Sequence, residues 1–137
     1  MGNGADDNAR AKAKRWVDLY DEMMALYGVI RTVLARLPLP VGLAAWDHRW
    51  KNEVLFHALT AFNRVRVELL DAQPIEQRHK DLLHQAVLDW LAAWDFAAVT
   101  LETGDPLGWQ FDVFEHLIRR AEQAVEQVAH ELELGED

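Results

Sequence analysis

The chain has 137 residues, half of them hydrophobic, enough for one domain with a continuous core and no covalent staples. It has no cysteine, so disulfides, thiolate metal sites and cysteine nucleophiles are excluded. A formal charge of −9, from 23 acidic against 14 basic residues, works against nucleic acid, whose phosphates demand cations; it suits a basic protein partner or a plain solvated surface.

No apolar run approaches the roughly 20 residues needed to cross a bilayer, and the polar opening, Met1 to Asn8, has no signal-peptide character. A cytoplasmic protein with no membrane partner is expected. Residues 1–8 read as a disordered tail in which Asp6, Asp7 or Asn8 caps the first helix, and 9–134 as the bundle proper.

The first helix runs to about Leu37 on an apolar series from Trp16 through Leu19, Met23, Tyr27, Ile30 and Leu34 that steps by threes and fours. Pro38 and Pro40 stop it. The second helix is expected from about Leu43 to Ala72, with Trp46, Trp50, Val54, Ala58, Ala61 and Val65 facing inward. Helix three opens at Pro74, where a missing amide costs nothing, and helix four follows the Asp105-Pro106 cap; 135–137 should fray. Breaks this short predict an all-α, up-down-up-down antiparallel four-helix bundle, each helix roughly 45 Å long.

Reflecting residue numbers through the turns places Trp46, Trp50, Trp90, Trp94 and Trp109 towards one end, where stacked indoles either line a pocket for a flat apolar ligand or plug the core. The same construction sets Tyr27 level with Glu53 and His57, a carboxylate and imidazole four apart that would orient one another for proton transfer or fix helix register. Glu76-Gln77-Arg78-His79 spells the Glu-x-x-His unit of di-iron bundles, but no second copy exists. Neither a His-x-x-x-His zinc pair nor a glycine-rich phosphate loop is present, and serine is absent, so no metal, cofactor or catalytic residue is assigned.

The second helix also carries Leu55, Leu59, Phe62 and Leu70 beyond the arc a bundle requires, and Leu88 and Leu91 widen the third in a similar way. These six residues are the expected interface of a homodimer. The expected function is a non-enzymatic interaction bundle, homodimeric through helix two and part of helix three, with a basic protein as a further partner. The alternative is a ligand-binding or enzymatic bundle using Tyr27, Trp46, Trp50, Glu53, His57, Trp90, Trp94 and Trp109.

Overall fold

The computed structural model describes residues 3–103 and 105–134. Four α-helices form and, among the described residues, no strand: α1 (Asn3–Ala35), α2 (Asn52–Arg64), α3 (Gln77–Thr103) and α4 (Gly108–Glu131). None is long and apolar enough to cross a membrane. The expected tail at 1–8 is helical from Asn3 onward, while Met1, Gly2 and the expected frayed end at 135–137 lie outside the described residues.

The largest departure lies between α1 and α2. Residues 43–51, expected as the start of the second helix, are not helical. Two α1 side chains capture their carbonyls: the Tyr27 hydroxyl donates to Ala44 O at 3.0 Å, and Arg31 Nε donates to Leu43 O at 2.6 Å. Asp47 then makes a turn, its carboxylate accepting from Arg49 N–H at 2.9 Å and its carbonyl from Trp50 N–H at 3.1 Å. With those groups taken, helix formation waits until Asn52.

This segment is an extended strap running back along α1. Val41 N–H bonds Leu34 O at 3.0 Å, and Ala44 reaches Tyr27. Three extended residues cover about 10 Å, the same rise as the seven helical residues from Leu34 back to Tyr27. At the far end Gln73, buried between α2 and α3, clamps the strap's beginning: its Oε1 accepts from Leu39 N–H at 3.0 Å and its Nε2 donates to Leu39 O.

The strap changes the topology. Lys12 pairs with Asp105, Arg15 with Asp112 and Glu115, and Glu22 with Arg119, so numbers rise together and α1 runs parallel to α4. In α3 they fall: His79 meets Glu131 and Asp89 meets Arg120 across α4, while Trp90 meets Phe62 and His84 meets Arg66 across the α2 side. Three helices therefore point one way and α3 the other. The antiparallel up-down-up-down order does not form, because the return expected of helix two is made by the strap.

Helix α3 packs on all three others, and α2 reaches α1 only through long side chains such as Tyr27 and Phe62. The core gathers Met23, Ile30 and Leu34 of α1, Leu83, Val87 and Trp90 of α3, Phe114, Ile118 and Val125 of α4, and Phe62 of α2. Beyond Arg64, α2 continues as a π-helical turn over Val65–Leu69, where Leu70 N–H bonds Val65 O at 3.0 Å. The wider turn swings Leu70 back under the core beside Val65.

Two caps also differ from expectation. Helix α3 begins at Gln77 rather than Pro74, and α4 begins at Gly108, with Gln110 Oε1 reaching back to accept from Leu107 N–H at 2.6 Å. Asp105, expected as the α4 cap, turns to Lys12 instead.

Candidate functional site

The expected aromatic cluster assembles around Trp90, which is fully buried and donates its indole N–H to Met23 O at 2.8 Å. Tyr27 lies 5.2 Å from the Trp90 ring, Trp46 5.8 Å and Trp94 5.9 Å, centroid to centroid. Trp50 joins through Trp46 at 5.2 Å. Phe62, assigned to an interface from sequence, completes the group at 5.2 Å from both Tyr27 and Trp90. Its edge-on approach to Trp90 is a favoured aromatic geometry. Burial pushes the Tyr27 phenol above its ordinary pKa, against the nearby Arg31 charge, so it remains a donor to the strap.

The cluster fills the gap between α1, α2 and α3. Trp46 enters it from the strap, and that is why it meets Trp90 and Trp94 although it is not on a helix. Two concavities lie away from it: one of about 340 Å³ beside Ala9, Lys12, Trp16, Thr100 and Pro106, and one of about 150 Å³ beside Glu22, Val29, Arg119 and Glu126. Neither is lined by a member of the cluster.

Three of the expected pocket residues stay outside it. Glu53 and His57 are exposed on α2, and Trp109 is 59% exposed in the first turn of α4. The trio of Tyr27, Glu53 and His57 does not come together, because reflection through the break at Pro38 and Pro40 assumed α1 and α2 to be antiparallel. With the two parallel, Tyr27 is level with Phe62 instead.

His79 is buried and its Nε2 lies 2.8 Å from Glu131 Oε1, with Nδ1 left without a partner. Gln127 donates to the other Glu131 oxygen at 3.0 Å, and Arg78 pairs with the same carboxylate. The Gln127 and His79 hydrogen bonds, with the Arg78 charge, hold the Glu131 carboxyl below its ordinary pKa. Glu76, the other end of the di-iron-like spacing, turns out to solvent and pairs with Arg78. Among the described residues no three His, Cys, Asp or Glu side chains gather as metal ligands would.

The six residues expected at a dimer interface divide. Phe62 and Leu70 are core, and Leu59 and Leu91 are half-buried against it. Leu55 is half-buried, and only Leu88 of the six is exposed, at 42%. The row Leu55, Leu59, Phe62 is thus the inward face of α2, and Val54 and Ala61, expected inward, are exposed. The strongly exposed aromatic side chains are Phe56, at 68%, and Trp109. Phe56 lies outside both apolar rows of α2, and that position was the available signal. The chain matches no known family model, curated protein or solved structure.

Proposed function

We propose that this is a non-enzymatic helical bundle of the cytoplasm that works through contacts with other protein chains. One observation carries the reading: Phe56 and Trp109 stand 68% and 59% exposed while the interior already holds a filled aromatic core. Large rings kept in water are unfavourable in the isolated chain, and they are the side chains that dominate binding energy when covered. The acidic surface supports a basic partner. A homodimer remains part of the proposal with a changed interface, since Phe62 and Leu70 are occupied by the core; Leu88 and the outer face of α2 around Phe56 are what it would use.

Photo-cross-linking tests it. A benzoylphenylalanine at position 56 or 109, introduced in the protein's native cells, should give light-dependent adducts, and one at the polar exposed position Gln123 should not. Adducts of twice 15.7 kDa mean a second copy, and other masses a different partner. No adduct at either position refutes the interaction reading.

The second reading, a binding pocket for a small apolar molecule, has the cavity of about 340 Å³ beside Trp16 in its favour. Its place is then at the Lys12–Asp105 end, away from the tryptophan cluster.

A further inference from the structure

Helices α3 and α4 share an apolar strip that no part of the described chain covers. The Asp89–Arg120 ion pair at 3.0 Å and the Phe96–Phe114 ring contact at 6.4 Å fix the register of the two antiparallel helices. Val113 then stands level with Phe96, and Trp109 level with Thr100, beside Val99. Val99 is 59% exposed, Trp109 59% and Val113 37%, and Leu107 ends the strip at 53%; Leu88, 42% exposed, lies on the same face of α3 three turns away, past the Asp89–Arg120 pair. Leu88 and Val99 are about 16 Å apart along α3, a span of three turns of a docked helix.

Exposed carboxylates border it. Asp95 projects from α3 with no ion-pair or hydrogen-bond partner among the described residues. On the α1 side Asp105 and Asp112 remain 83% and 75% exposed despite pairing with Lys12 and Arg15. The cation beside the strip, Arg120, is already engaged by Asp89.

We infer that this strip is the docking surface for a basic amphipathic helix of another protein, its apolar face covering Val99, Trp109 and Val113 and its cations meeting Asp95, Asp105 and Asp112. The inference rests on the interaction reading above and gives it a place and a partner chemistry. A second copy fits less well. Each chain carries −9, and a two-fold contact here would bring two such acidic borders together, whereas a basic helix supplies the cation that Asp95 lacks and adds to those already on Asp105 and Asp112. An exposed tryptophan with Asp95 on one long edge and Asp105 and Asp112 on the other is the arrangement of an anchor with a polar rim.

The test is calorimetric titration of the full chain with a synthetic peptide of roughly 18 residues, long enough to hold a helix, bearing leucines on one face and lysines on the other. A control peptide carries glutamate at every lysine position. The lysine peptide should bind one to one and the glutamate peptide should not. Trp109→Ala and, on the neighbouring helix, Val99→Ser should each weaken binding about tenfold or more, the loss expected of an interface anchor. Asp95→Asn should weaken it at low salt and lose its effect at high salt. Phe56→Ala should leave affinity unchanged, and far-UV melting of each variant should match the wild type because all these side chains are solvent-facing.

Equal binding of both peptides, no binding of the lysine peptide, or full affinity in Trp109→Ala overturns the inference. So does light scattering that shows a wild-type dimer converted to monomer by Trp109→Ala, since the occupant is then a second copy. In each of these cases the broader reading is judged separately, by whether the cross-linker at position 56 or 109 still captures protein.

Discussion

Two phenylalanines six residues apart on α2 give opposite expectations, and their comparison tests which way that helix faces. Phe62 is fully buried, with the Tyr27 and Trp90 rings each 5.2 Å away, while Phe56 is 68% exposed and its ring neighbour is His57 at 6.3 Å. Truncating Phe62 to alanine removes transfer energy, two aromatic pairs and the atoms that close the gap between α1 and α2, a loss of about 3–5 kcal/mol. Truncating Phe56 should stay within about 0.5 kcal/mol of wild type. Unfolding entropy for 137 residues is about 0.29 kcal/mol per kelvin, so Phe62→Ala should lower the melting temperature by about 10–17 °C. Thermal denaturation followed by circular dichroism, with urea unfolding as a second measure, reads both. A Phe56→Ala protein that melts below Phe62→Ala would mean that α2 is turned by about a third of a revolution, with Phe56 inward and Phe62 outward.

Leu55→Glu combined with Leu59→Glu should destabilise the folded chain by about 2–4 kcal/mol, since both lie on the inward row; urea titration checks it, and a folded protein of unchanged stability would return those leucines to the surface. Gln73→Ala removes both bonds to Leu39 from a buried position and should cost about 1–3 kcal/mol, with faster proteolytic nicking of the strap as its local signature. For Glu131 the sign follows from its lowered pKa. A carboxyl depressed in the folded state contributes stability that is present above its unfolded value and lost as pH falls through the folded one. Glu131→Gln should therefore be less stable than wild type at neutral pH, and the two denaturation curves should converge as pH falls below 4.5, the ordinary value for this group. A gap independent of pH would refute the role given to the Gln127, His79 and Arg78 contacts.

Helical periodicity alone placed the inward rows of α1, α3 and α4, because a residue every three or four positions winds into one stripe whatever the partner helix is. His79 and the stacked Trp90 and Trp94 on the α3 stripe were legible for the same reason. Helix two was not legible in this way. Its apolar residues cover several arcs, so either Val54 and Ala61 or Leu55 and Phe62 could face inward. The choice depended on where the helix began and on which way its neighbour ran. Tertiary bonds made both choices: Tyr27 and Arg31 took the carbonyls of Ala44 and Leu43, Asp47 closed a turn, and the chain returned along α1 as a strap before α2 started. That return made α1 and α2 parallel, kept Glu53 and His57 away from Tyr27, drew Phe62 into the core and left Phe56 in solvent. Local sequence sets a periodicity, but competition for backbone hydrogen bonds from side chains distant in sequence is settled only when the helices meet.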